Sequence, residues 1–272
     1  MKILHINKSN HPGGAEIIAY TLFKSSKDNT LLVYQKSGQE DGIIEFEKDK
    51  QDFFFNVLTK LKWRFRPDYS FKKVFSIEDE FNHTFKKLKK LPSYQEADII
   101  HLHNIHSGYF DLTALQEIAA EKKMVWTLHD MWCMTGGEAY TFEDEHYKKG
   151  IGKTPYFHVP PLNSPLIDRR QHFLELKKQI YAKIAPSITF VPVSNWLNKC
   201  LHDAYVWNRQ LHSEVIYNGV DRHIFYKNKR NDCGVVPKIL LFNNNNLSKR
   251  ENIFQDVLEN IRHHFELHVV GK

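Results

Sequence analysis

The sequence is poor in cysteine: Cys133, Cys200 and Cys233 are the only three among 272 residues, and no two have paired spacing. That sets aside a disulfide framework and a clustered-cysteine zinc site, and it suits a reducing, cytoplasmic compartment. No apolar run approaches the roughly 18 residues of a membrane-spanning helix. The opening residues Met1 to Ile6 are apolar only briefly before polar and glycine positions, and they read as a first strand rather than a signal peptide. A Gly-x-Gly-x-x-Gly turn followed about twenty residues later by an acid is also missing, which argues against a dinucleotide-dependent enzyme. There is no solenoid repeat, and the only low-complexity tract is Asn243 to Asn246.

What is present is ample apolar material, 42% of residues against 26% charged, enough for a packed core in one or two domains. The formal charge of +6 is concentrated. Between Lys60 and Lys90 ten Lys/Arg residues face four acids (Asp68, Glu78, Asp79 and Glu80), with Trp63, Phe65, Tyr69, Phe71 and Phe75 interleaved. Basic residues mixed with aromatics suit an anionic membrane surface, which is the expectation here in preference to nucleic acid. The plainer alternative is a solvated helical face with its aromatics in the core.

Short apolar runs at 2–6, 31–34, 97–103, 124–128, 189–193 and 213–217 read as strands. They alternate with helical patterns at 15–27, at 112–123, and from a Ser164 cap with Pro165 at the first helical position to about 184. A further helix is capped by Ser194, with Trp196, Leu197, Cys200 and Leu201 inward. Such alternation predicts βαβ units and an α/β fold with a parallel sheet. A stretch at 131–164, rich in glycine and proline, reads as irregular and functional. After a polar linker at 228–237 the pattern restarts: a strand at 238–242, a capping box of Ser248 and Glu251, a helix face of Phe254, Val257, Leu258 and Ile261, and a strand at 265–270. The expected division is 1–221 for one domain and 222–272 for a linker and a second domain. The second is read as incomplete, because two parallel strands do not cover their own faces.

Ligands of open parallel sheets bind beyond the carboxyl ends of the strands. Two candidate groups fall there. Gly13 and Gly14 follow the first strand, where side-chain-free backbone N–H groups can approach a phosphate; the duller reading is a turn that needs positive φ. His129 and Asp130 follow the strand at 124–128. His101, His103 and His106 lie near another strand end, with His101 and His103 on one strand face, but no carboxylate or cysteine at ligand spacing accompanies them, so no metal is expected. Ser194 reads as a helix cap.

Taken in order, Gly13 to Glu16, His101 to Asn104, Trp126 to Asp130, Val193 to Leu197, and Val215 to Asp221 followed by Phe225 resemble glycosyltransferase family 4, in the branch that builds surface polysaccharides. The resemblance covers nearly the whole chain. It implies two Rossmann-like domains of GT-B architecture, the acceptor side N-terminal and the donor side C-terminal. It implies transfer of a sugar from a nucleotide diphosphate sugar to a saccharide or lipid-linked acceptor, with the anomeric configuration kept, no metal or other cofactor, and a site in the cytoplasm or on the inner membrane face. His129 would lie near the anomeric centre as the catalytic residue, with Asp130 orienting His129 or its loop. Gly13, Gly14, His103, Asn104 and Asp130 would contact substrate. No carboxylate pair suggests double displacement, so front-face transfer is expected. Lys249 and Arg250 would serve the diphosphate, although Glu251 occupies the place of the family's lysine. The family's two spaced glutamates would fall beyond residue 272. Relatives often carry cysteines after the His-Asp pair; Glu138 stands at the first such position, so neither a metal nor a structural role is expected there. The alternative reading is a catalytically incomplete remnant that binds saccharide or membrane.

Overall fold

The computed structural model describes residues 1–47 and 83–226 apart from 12, 107, 142–143 and 153–167, and beyond these 236, 238–243, 260–261 and 264–271. Two compact units emerge, Met1–Asn218 and Gly219–Lys272.

The first unit is built on a seven-stranded, all-parallel sheet. Its strands are β1 (Ile3–Ser9), β2 (Thr30–Gln35), β3 (Ile43–Glu45), β4 (Ile99–Leu102), β5 (Lys123–Leu128), β6 (Ile188–Pro192) and β7 (His212–Ser213), in the spatial order β3-β2-β1-β4-β5-β6-β7. Helices α1 (Gly14–Lys24), α2 (Thr84–Leu88), α3 (Pro92–Glu96), α4 (Ala114–Ala119), α5 (Arg170–Ile184) and α6 (Asn195–Asp203) fall between them. This is the Rossmann-like α/β architecture expected from the alternating pattern. Inner parallel strands are covered on both faces, so they read as nearly continuous apolar runs; Leu4, Ile6, Ile100, Leu102, Trp126, Leu128 and Phe190 are all buried. The order reverses between β1 and β4: β2 and β3 extend the sheet one way, and β4 onward extends it the other. Such a switch point opens a crevice at the carboxyl ends of the flanking strands.

Several elements differ from the sequence reading. β3 carries no strand signal of its own, since only three residues pair. Its entry is fixed by Gly42, at φ +81°, where an added Cβ would lie 3.0 Å from the Phe23 ring. α5 begins at Arg170, not near Pro165: Asp168 and Arg169 are not helical, and the Asp168 carboxylate accepts from the Arg170 N–H. The Ser164 and Pro165 cap itself falls outside the described residues. Ser194 does cap α6, accepting from the Leu197 N–H at 3.1 Å. Trp196, expected inward, is 58% exposed, because only Leu197, Cys200 and Leu201 lie on the buried stripe. β7 is two residues long, although the Glu214 and Ile216 N–H groups still donate to Phe190 and Pro192 carbonyls along β6.

The second unit contributes β8 (Lys238–Asn243) and β9 (Glu266–Gly271), paired in parallel from Lys238 with Glu266 to Asn243 with Gly271. The linker at 228–235 and the helix face at 254–258 lie outside the described residues.

Candidate functional site

The two strands that flank the switch point carry histidines on the same face. His5 of β1 is the register partner of His101 of β4, and His103 follows β4 directly. Their rings cluster: His101 stacks on His103 at 4.4 Å between centroids and lies tilted against His5 at 4.9 Å. The array continues outward to His129, just past the end of β5, whose ring plane lies within 20° of that of His103, with centroids 5.5 Å apart. Two nitrogen contacts run through it. His5 Nδ1 lies 3.4 Å from His103 Nε2, and His103 Nδ1 lies 3.2 Å from His129 Nε2. His101 stands beside this line, with Nε2 held 2.8 Å from the Thr127 hydroxyl.

Burial makes the array neutral. Desolvation pulls His5 and His129 down to about 4 and His101 down to about 3, and it holds His103 well below the ordinary histidine value. At His129 the Asp130 carboxylate opposes the shift, but burial prevails.

Asp130 works on the loop beyond β5. One carboxylate oxygen accepts from the Trp132 N–H at 2.8 Å, and the other lies 3.2 Å from His106 Nε2. It therefore orients the loop and His106 rather than His129. Asn104 is held on both sides: its N–H donates to Asn7 Oδ1, and its carbonyl accepts from the Tyr109 hydroxyl. His103, Asn104, His106, His129, Asp130 and Trp132 line one hollow at the strand ends. His103, expected as a substrate contact, is only 1% exposed and sits behind His129.

Gly13 and Gly14 lie at the start of α1. Gly13 has φ −171°, an extended backbone open to any residue, and Gly14 is not among the positive-φ glycines. The turn explanation for the pair therefore fails. A Cβ on Gly13 would meet the Glu16 carboxylate, which is folded back over the helix start, whereas Gly14 faces open space. An acid in the first turn complements the exposed N–H groups and the helix dipole. Lys249 and Arg250 lie outside the described residues, as does most of the basic segment. Of its described members, Lys89 and Lys90 pair with Glu121 and Glu47, and Lys87 is buried over the Phe46 ring.

The irregular stretch after Asp130 is anchored from below by α5. Lys177, fully buried, donates to the Trp132 and Thr135 carbonyls and lies 3.7 Å over the Trp132 ring. The Tyr181 hydroxyl donates to the Cys133 carbonyl. Arg170 reaches Glu138 Oε1 at 2.9 Å, with side chains 4% and 8% exposed, and also binds Asp168 and the Gly152 carbonyl. Glu138 thus has the structural role that the sequence reading denied it. The signal was an unexplained acid in an apolar stretch, whose partner lies 32 residues away.

His5 is the residue that sequence reasoning missed. It lies inside β1, and only its period-two placement opposite His101 marks it. His5, His101 and His103 have ligand atoms within 4.8 Å of one another. Their chemistry would suit zinc. Their arrangement suits it poorly, because His101 and His103 are stacked with planes 27° apart, and in-plane lone pairs of near-parallel rings do not meet at one ion. Among the described residues no helix is long and apolar enough to cross a membrane.

No family model matches the chain. Over 132 residues it is 29% identical to a protein of Escherichia coli (strain K12) named as the colanic acid biosynthesis glycosyl transferase WcaC, a stretch covering 45% of this chain and 31% of that one. The solved structure of Anabaena Alr3699/HepE in complex with UDP and glucose aligns over 100% of this chain and 60% of its own, with a TM-score of 0.50 and 14% identity. The chain thus spans less than two thirds of either protein. Its resemblance to glycosyltransferases of polysaccharide synthesis is upheld in sequence, and its Rossmann-like sheet is upheld in fold.

Proposed function

We propose that the chain carries the N-terminal, acceptor-side domain (1–221) of a retaining, metal-independent GT-B glycosyltransferase, followed by the start of its donor-side domain (222–272). The enzyme moves a sugar from a nucleotide diphosphate sugar to a saccharide or lipid-linked acceptor in surface polysaccharide synthesis. It works on the cytoplasmic side, a setting that accords with the free, buried Cys133 and Cys200. The observation that carries this reading is the half-buried, neutral His129 at the end of β5, beside Asp130 and Asn104 at the rim of the hollow between the ends of β4 and β5. A neutral imidazole there hydrogen-bonds sugar or phosphate oxygens without adding charge, and such preorganised contacts stabilise charge that develops as a leaving group departs. The complex of HepE with UDP and glucose supports the same donor class. Gly14, where an added Cβ would meet nothing within 4 Å, leaves room at the start of α1 for a hydroxyl-rich group beside the Glu16 carboxylate. Lys249 and Arg250 are assigned to the diphosphate, and the basic segment from Lys60 to an anionic membrane that presents the acceptor.

The test is a panel of uridine, guanosine, adenosine and thymidine diphosphate sugars, read by ligand-observed NMR and by nucleoside diphosphate release with lipid-linked and free saccharide acceptors. One donor class should bind and turn over, and His129→Ala should lower turnover about 100-fold or more. Absence of binding and release across the panel would overturn the reading in favour of a non-catalytic binding module.

A further inference from the structure

The three rings of His5, His103 and His129 are joined end to end. Burial keeps each neutral, so each carries one N–H and one bare nitrogen. The two contacts between them, His5 Nδ1 to His103 Nε2 and His103 Nδ1 to His129 Nε2, each hold one proton. Three rings supply three protons. The third must therefore sit at one end of the line, on His5 Nε2 or on His129 Nδ1, and its position fixes the direction of both hydrogen bonds.

The two ends are not equivalent. His5 Nε2 is buried in a residue 1% exposed and has no hydrogen-bond partner among the described residues. An N–H there would be a donor stripped of water with nothing to receive it, an arrangement that folded proteins avoid. The His129 end lies at the rim of the hollow beside Asp130. A line of aligned N–H dipoles has its positive end where the last proton sits, and a carboxylate beside His129 favours that end. Ring geometry also turns His129 Nδ1 away from His103, so its proton can meet water or a ligand.

We propose that His5 and His103 are positioning residues that lock His129 as the Nδ1–H tautomer, so that its outward nitrogen is a standing neutral hydrogen-bond donor. The residue cannot then act as a base through that nitrogen. The group it serves is an acceptor oxygen, on a sugar hydroxyl, a glycosidic position or a phosphate. This assignment of the partner rests on the glycosyltransferase reading above, whereas the tautomer does not. His101, tied to Thr127, walls the line without joining it.

The experiment is long-range proton–nitrogen NMR on the full chain with ¹⁵N-labelled histidine at neutral pH, with His129 assigned by the signal lost in His129→Gln. Expected is the Nδ1–H pattern at His5, His103 and His129. His5→Phe removes the donor to His103 Nε2 and should move His129 to a mixture of both tautomers. His5→Asn places an amide N–H where Nδ1–H was and should restore the single pattern. If His5→Phe does not fold, the unaltered protein and His5→Asn still decide the matter. An Nε2–H pattern at His129 in the unaltered protein would overturn the proposal. So would an unchanged His129 in His5→Phe, loss of the pattern in His5→Asn, or one equivalent of tightly bound zinc by metal analysis. A null result in the sugar-nucleotide panel leaves these spectra untouched, so the two ideas fail separately.

Discussion

Replacing Arg170 by methionine isolates what the buried ion pair under the site does for the fold. The guanidinium donates to Glu138 Oε1, to both oxygens of Asp168 and to the Gly152 carbonyl. Asp168 is pushed up by burial, but Arg170's hydrogen bonds and charge more than offset this and hold it below the ordinary carboxylate value. Methionine preserves much of the packing but leaves Glu138, whose side chain is 8% exposed, as a carboxylate without its cation. Breaking one side of such a pair costs about 3–5 kcal/mol, a large share of the ~5–15 kcal/mol that holds a domain together. Glu138→Gln keeps an acceptor and removes the charge, so its expected cost is nearer ~1 kcal/mol. The double variant buries no uncompensated charge at position 138, and it should be more stable than the sum of the single effects by at least ~1 kcal/mol. Urea unfolding followed by tryptophan fluorescence reads this directly, because the buried Trp126 and Trp132 report on the same unit. A loss below ~1 kcal/mol for Arg170→Met, or strict additivity in the cycle, would refute the reasoning.

Acid should weaken the fold through the histidine array. His5 binds its proton near pH 4 when folded and near 6.5 when unfolded, so between those values the unfolded chain holds the extra proton and stability falls as the pH drops. For His5 alone the loss is on the order of 3 kcal/mol, complete below about pH 4, and His5→Phe should flatten the slope of the urea midpoint against pH. Ser194→Ala removes the α6 cap and should cost about 1 kcal/mol by the same unfolding assay. Gly42→Ala forces a side chain into positive φ against Phe23, for a loss of roughly 1–2 kcal/mol or more.

The parallel sheet was legible because its central strands are short, apolar and separated by helical patterns. β3 was not, since three residues paired at an edge carry no period. Trp196 misled because α6 is amphipathic and an aromatic beside Leu197 looks like core. At the site, His103 and His129 could be placed from strand ends alone. Their order, with His103 behind and His129 in front, could not, because it depends on how two strand ends 26 residues apart are brought side by side. His5 was hidden for a related reason: a polar residue within a buried strand gains meaning only once its register partner is known. The Glu138 and Arg170 pair could not be read, since the acid stood out but nothing local named a partner 32 residues away.

β1, an interior strand of the sheet, is made well before the neighbour that joins it to the rest. Residues 3–9 emerge long before their partner at 99–102, and parallel pairings over such separations form slowly. Until that partner arrives, one flank of β1 has unpaired backbone groups and a row of apolar side chains that invite association with other nascent chains. His5 meets His101 only when this gap closes. No earlier folding intermediate therefore contains the imidazole line, and its appearance in time-resolved spectra would mark the moment the sheet is joined.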